Sequence, residues 1–233
     1  NSNKEAVGIY ERNFGKWKQK FMFPPRSVSH IHQIKYDKFR KCLWILTGDS
    51  DKESAIWKSD LLFQKVDLIL GGSQKFRSCF LMPLKEGIAY ATDTPLEENA
   101  VYFSRENNGV WEEPIKIFDM NGPCIYGSAV DNENYVMSTS VEPDASLSVL
   151  RYRLTKRLGR GVKDDYTHII FGNPKDGFQD LCKFKKDCLR PWLFQFGNVM
   201  FPDIKGNFIF ATGQSLKKID GKTIIIDVST ILK

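Results

Sequence analysis

The sequence predicts an all-β chain folded as a β-propeller of about five four-stranded blades, the first of them incomplete. Three observations predict it. Short runs of aromatic and β-branched residues, bounded by Gly, Asn, Asp and Pro, dominate the chain, and no long stretch keeps a helical period. Four kinds of run recur in the same order, with a spacing of about 45 residues. A sheet of four short strands has two apolar faces, and repeats bury both by radiating from a shared centre.

Each element follows from one of the recurring runs. Val7–Arg12 and Lys16–Phe21 read as the outer strands of the incomplete blade. First strands are expected at Ile31–Tyr36, Ser78–Met82, Ile125–Val130 and Phe196–Phe201. Second strands close on threonine: Leu43–Thr47, Ile88–Thr92, Tyr135–Thr139 and Phe208–Thr212. The first three threonines are 45 and 47 residues apart, and the last gap is 73, so extra chain lies before Thr212. Third strands are expected at Ala55–Ser59, Ala100–Ser104 and Ser148–Tyr152, and fourth strands at Phe63–Val66 and Trp111–Ile115. The units span 27–70, 72–119, 121–172 and 190–229. The charged stretch 155–190 reads as a strand around His168–Phe171 followed by an irregular insertion. The whole, 1–233, reads as one propeller domain or as a piece of a longer one. Trp44, Trp57, Tyr90 and Tyr102 hold repeat positions and are expected in the core between blades.

Composition bounds the function. Hydrophobic residues make 42% of the chain and charged residues 27%, enough for a packed core. No apolar run approaches the ~20 residues of a membrane-spanning helix. The net charge of +6 gathers in Lys16–Lys20, Lys38–Lys41 and Lys183–Lys186, which fall at turns and strand ends. That pattern is a solvated rim and not a nucleic-acid face. The five cysteines, Cys42, Cys79, Cys124, Cys182 and Cys188, are odd in number and read as structural thiols. This favours a reducing, cytoplasmic compartment. The chain starts without Met or a signal pattern, as a processed or excised chain would. Walker, Gly-x-Ser-x-Gly and Cys-x-x-Cys patterns are absent, which removes kinase and α/β-hydrolase chemistry.

The stretch Ile56-Trp57-Lys58-Ser59-Asp60-Leu61-Leu62-Phe63-Gln64-Lys65-Val66 resembles a degenerate Asp box, with Leu61-Leu62 at the usual glycines and Val66 at the usual Trp. The chain is thereby similar to the sialidase and BNR-repeat β-propellers. The resemblance implies a ligand site on the propeller axis. Sialidases hold a substrate carboxylate with three arginines, and Arg26, Arg77 and Arg190 lie near expected first-strand starts. No Tyr–Glu nucleophile pair can be assigned.

Two of the three histidines, His30 and His32, sit two residues apart in "SHIHQIKYD", on one face of an expected first strand. Gln74, Arg77, Tyr126, Gln195 and Asn198 occupy parallel positions in other units, and Asp49, Asp51 and Asp93 follow the second strands. These groups are expected to converge on one pole as a ligand site. His30, His32 and Asp93 are the candidate catalytic residues, with Thr94-Pro95 aiming Asp93. Gln74, Arg77, Tyr126, Gln195, Asn198 and Trp192 are the candidate ligand contacts, Trp192 by stacking on a sugar. Three readings of the histidine pair stay open: hydrogen bonds that hold the channel wall, direct ligand contact, or half of a metal site completed by Asp49, Asp93 or His168. No cofactor is expected otherwise. The expected function is the binding or processing of an acidic saccharide, by a glycoside hydrolase or polysaccharide lyase-like route if an enzyme. The alternative is a propeller scaffold for a protein partner.

Overall fold

The computed structural model describes residues 3–144, 146–189 and 196–231. An N-terminal hairpin pairs β1 (Val7–Asn13) with β2 (Lys16–Phe23). Blade 1 is the antiparallel sheet β3 (His30–Asp37), β4 (Cys42–Gly48), β5 (Ala55–Ser59) and β6 (Val66–Gly71). Blade 2 holds β7 (Ser78–Pro83), β8 (Gly87–Thr92) and β9 (Ala100–Asn107), with its outer edge split into β10 (Val110–Trp111) and β11 (Ile115–Asp119). Blade 3 is β12 (Cys124–Ala129), β13 (Tyr135–Thr139), β14 (Tyr166–Asn173) and β15 (Gly177–Lys185). Blade 4 has three strands, β16 (Asn198–Lys205), β17 (Phe208–Gln214) and β18 (Thr223–Asp227). The fold is therefore an all-β propeller arrangement of four blades plus a hairpin, where about five blades were expected. First strands meet in turn, β3 with β7, β7 with β12 and β12 with β16.

The core lies between successive sheets. Trp44, Leu46 and Ile56 of blade 1 meet Leu81, Ile88 and Tyr90 of blade 2. Phe80, Met82 and Ala91 of blade 2 meet Tyr135, Met137 and Ile170 of blade 3. Val136, Ile169 and Phe171 of blade 3 meet Val199, Ile209 and Ala211 of blade 4. Ile9 and Phe23 of the hairpin cover Ile45. Burying each of the larger aliphatic and phenylalanine side chains contributes about 1.5–3 kcal/mol, so the seams hold the sheets in order. Trp44 and Tyr90 are wholly buried as expected, while Trp57 and Tyr102 are half-buried.

The recurrent threonine has a physical cause. Thr92 Oγ1 accepts from the Ala100 amide, Thr139 Oγ1 accepts from the His168 amide, and Thr212 Oγ1 shares a hydrogen bond with Thr223. Thr47 Oγ1 donates to the Glu53 carbonyl. At the end of each second strand the hydroxyl thus ties in the chain at or just before the third strand. A buried hydroxyl needs such a partner.

Two expectations are corrected. Ser148–Tyr152 is not a third strand: the six-residue helix α1 (Val149–Leu154) lies there. The place beside β13 is taken by β14, whose Ile169, Ile170 and Phe171 are apolar and buried. The stretch 155–190 is not mainly insertion, because β15 runs through Gly177–Lys185 as the outer strand of blade 3. A bulge opposite Ile169/Ile170 breaks its polar–apolar alternation, and its lysines face solvent as an edge strand allows. The extra chain lies instead between β13 and β14. No helix among the described residues is long and apolar enough to cross a membrane.

Candidate functional site

The site is built by the start of each first strand and the end of each second strand, which antiparallel pairing brings to one pole. In blade 1, His30 pairs with Gly48, and in blade 2, Ser78 pairs with Thr92. A bulge follows in both strands. Register shifts between Ile31 and Gln33 leave His32 as the extra residue, and between Ser78 and Phe80 they leave Cys79. Ile125 holds the same place in blade 3. A bulge re-aims its side chain out of the pleat. His32 and Cys79 are therefore equivalent positions of adjacent blades, an equivalence that simple alternation hides.

His32 is 4% exposed, and its Nδ1 lies 2.9 Å from the Ser78 carbonyl of blade 2. A carbonyl only accepts, so Nδ1 carries the hydrogen and Nε2 points to Asp49 Oδ1 at 3.8 Å. His30 Nδ1 is 3.3 Å from Asp49 Oδ2, and the two imidazole rings lie 4.6 Å apart. Gly48 makes this packing possible. A Cβ there would stand 2.4 Å from His32 Cε1.

Arg77 enters from blade 2 and lies between two carboxylates. Its Nη2 is 3.5 Å from Asp49 Oδ1, and its Nε is 3.7 Å from Asp93 Oδ2. Nε is buried without a hydrogen-bond partner. Asp93 accepts from the Cys79 thiol at 3.2 Å. Glu142, in the chain after β13, is buried and accepts from Ser140 Oγ at 2.7 Å.

Burial and neighbours sort these groups by charge. Burial raises the Asp93 carboxyl above its ordinary range, with Arg77 opposing the shift. Burial, with Asp93 adding to it, pushes Glu142 up to about 7. His32, burial working against it, then His30 and Arg77, hold the Asp49 carboxyl below its ordinary value. Burial lowers His30, opposed by Asp49. Burial also raises Tyr152, on α1, with Glu142 reinforcing the shift. Perturbed carboxyls gathered in one cleft make this pole the candidate functional site.

The structure thus brings His30, His32, Arg77 and Asp93 together. Gln74 is beside them but bracketed: Nε2 donates to the Asp49 carbonyl and to Asp51, both at 3.0 Å, and Oε1 accepts from Thr94 at 2.9 Å. Tyr126 and Asn198 stand on the equivalent strands β12 and β16, and among the described residues no hydrogen bond or ion pair ties either to the cluster. Asn198 Oδ1 is buried without a partner. Gln195, Trp192 and Arg190 lie outside the described residues. Arg26 is exposed in the turn before β3, with its backbone bonded to Lys4. His168 does not join His30 and His32. It is buried in blade 3 between Asp180 and Asp164, at 2.8 and 3.1 Å, beside Asn121. The Asp-box-like stretch forms a turn in which Asp60 accepts from the amides of Leu62 and Lys65, at 2.7 and 2.6 Å.

Gly48, Cys79, Glu142 and Tyr152 were not among the expected site residues. The threonine repeat carried a signal for Glu142, since Asp49, Asp93 and Glu142 all follow the closing threonine within three residues. The inserted chain after it obscured that spacing.

No family model matches the chain, and no curated protein matches it. Among solved structures, it is similar to TolB from Acinetobacter baumannii at a TM-score of 0.47 and 12% identity, over 93% of this chain and 50% of the TolB chain. The chain spans about half the length of that protein.

Proposed function

We propose that the chain is a saccharide-binding β-propeller whose site is the polar pole where blades 1, 2 and 3 meet. One observation carries the reading: charged and polar side chains from separate blades converge there, with Asp93 and Glu142 buried and their carboxyls raised. Sugar hydroxyls both donate and accept, which suits a ring of carboxyl, imidazole and guanidinium groups. A raised carboxyl also has the form that delivers a proton at neutral pH, so Asp93 and Glu142 are the groups through which a bound glycan would be processed. Arg77 already shares its charge between Asp49 and Asp93. Recognition of an acidic saccharide therefore draws on more than this arginine. The Asp60 turn supports a sialidase-type ancestry, in line with a glycan ligand.

The test is a thermal-shift panel of neutral and acidic saccharides on the wild-type chain and on Asp93→Asn. The expected result is a ligand-induced rise in Tm that Asp93→Asn abolishes while its own Tm stays near wild type. A panel without any shift, or a shift that persists in Asp93→Asn, rejects the site. A second reading is favoured by the N-terminal hairpin, which holds Tyr10, Phe14 and Trp17 exposed, Phe14 at 99%. Such a patch suits a scaffold for a protein partner. A scaffold shows no shift with any saccharide.

A further inference from the structure

We infer that His30, His32 and Asp49 form a three-ligand site for a divalent transition metal, open to solvent at the polar pole. It rests on the pole being the functional site, and it supplies the second cation that an acidic saccharide requires there.

The geometry is the first argument. The three ligand atoms lie within 4.8 Å of one another. Bonds of about 2.0–2.1 Å at tetrahedral angles separate ligand atoms by about 3.4 Å. His30 Nδ1 is 3.3 Å from Asp49 Oδ2 and His32 Nε2 is 3.8 Å from Asp49 Oδ1, so each imidazole meets a different oxygen and a small turn of the carboxylate brings one oxygen to both.

The second argument is hydrogen-bond arithmetic. The His32 hydrogen is committed to the Ser78 carbonyl, so the Nε2 lone pair faces a carboxylate oxygen. An ion between them would join the two groups, on the side of Asp49 Oδ1 away from Arg77 Nη2, which lies 3.5 Å from the same oxygen. The Ser78 carbonyl is also the kind of outer partner that fixes the tautomer and ring angle of a metal-bound histidine. The seat of the ring is set by the backbone, through the bulge at His32 and the missing side chain of Gly48.

The third argument is the choice between ligand sets. His32, Cys79 and Asp93 also lie within 4.8 Å of one another. In that set the Cys79 hydrogen is already given to Asp93. His30 and Asp49 are each about half exposed, at 48% and 43%, so an ion on the first set keeps positions for water or for ligand oxygens. Two histidines and one carboxylate suit zinc, manganese or iron(II), and the two imidazoles select against calcium and magnesium.

The experiment uses the full chain, stripped with EDTA and dialysed, then titrated calorimetrically with Zn²⁺ and separately with Mn²⁺. One ion per chain is expected, with a micromolar or tighter Kd for Zn²⁺. His30→Ala and Asp49→Asn are each expected to weaken it about tenfold or more, and His32→Gln about a hundredfold. Zn²⁺ should raise the Tm of the wild type and not of the variants. His30→Ala removes a half-exposed side chain, so it keeps the test valid if His32→Gln does not fold. Absence of stoichiometric binding at micromolar concentrations overturns the inference, as does unchanged affinity in the His30→Ala/Asp49→Asn double variant. The saccharide panel, run with and without EDTA, separates the two proposals. Saccharide binding that survives without any metal binding leaves the saccharide site standing and removes the metal.

Discussion

Two buried aspartates stand at opposite poles, and their surroundings differ in kind. Asp37, at the end of β3, accepts four hydrogen bonds. They come from the amides of Phe39 and Arg40 at 2.8 and 3.1 Å, from Arg40 Nη1 at 3.0 Å, and from Trp44 Nε1 at 3.0 Å. Arg40 then bonds the Leu84 carbonyl at 2.9 Å and Glu106, which fastens blade 1 to blade 2. Asp93 accepts from one thiol, with Arg77 beyond hydrogen-bond length. A carboxylate with every lone pair filled is part of the architecture. One left short of donors can still serve a ligand. Burial alone does not separate these two aspartates, and the count of partners does.

The largest expected effect breaks that comparison if it fails. Asp37→Ala leaves the Trp44 indole and the Phe39 and Arg40 amides without their acceptor, while Arg40 keeps Glu106, and should cost about 3 kcal/mol. For a chain of this size that lowers Tm by about 10 °C. Asp93→Asn should change stability by less than about 1 kcal/mol, because burial already favours the uncharged form. Equal losses by calorimetry or urea melts would put both residues in one class.

The next effect depends on pH. Glu142 is raised from 4.5 to about 7. The folded chain therefore binds this proton more tightly than the unfolded chain, and stability falls as pH rises from 4.5 to about 7. The groups facing Glu142 are Ser140, Asp93, Arg77 and Tyr152. A shift of this size corresponds to about 3 kcal/mol. Glu142→Gln should remove the decline, so its advantage over wild type grows across that window and levels off above it. Parallel stability–pH curves for the two chains would contradict the burial of an ionisable group at this position.

Much of the fold was legible because the repeat is chemical. A threonine hydroxyl tied to the third-strand region recurs wherever a second strand ends, and that constraint left its mark at Thr47, Thr92, Thr139 and Thr212. The convergence of His30, His32, Arg77 and Asp93 followed from strand direction alone. What was not legible depends on local register. Bulges add a residue without any compositional mark, so Cys79 read as an inert thiol although it occupies the place of His32. The segment Ser148–Tyr152 carries β-type residues, yet β14 competes for the same edge and wins with three buried apolar side chains. His168 was a plausible third histidine by residue type, but two carboxylates hold it inside blade 3.

Gly48 sharpens the account of the polar pole, with a smaller cost in stability. Gly48→Ala places a methyl 2.4 Å from the His32 ring and should cost about 1–3 kcal/mol. It replaces none of the proposed ligands. Even so, Zn²⁺ affinity should drop as it does in His32→Gln, because the imidazole must turn. Unchanged affinity in a folded Gly48→Ala chain would mean that the ring's seat does not matter to the ion.

The smallest effect is expected at the pole of Asp37, away from Asp37 itself. The first-strand turns of blades 1, 2 and 3, with β9 and the turn between β14 and β15, line a cavity of about 600 Å³ there, rimmed by Lys38, Lys85, Arg105 and Lys175. It has the size of a ligand pocket, but its charged rim is exposed, and among the described residues Lys85, Arg105 and Lys175 form no ion pair. Charges that water already solvates contribute little to folding. Lys175→Ala should therefore move stability by no more than about 0.5 kcal/mol, and added salt should change the wild type and the variant alike. A loss on the scale of Asp37→Ala would mean that this rim is partnered in solution, and the contrast between the solvated rim and the fully partnered Asp37 beside it would have to be redrawn.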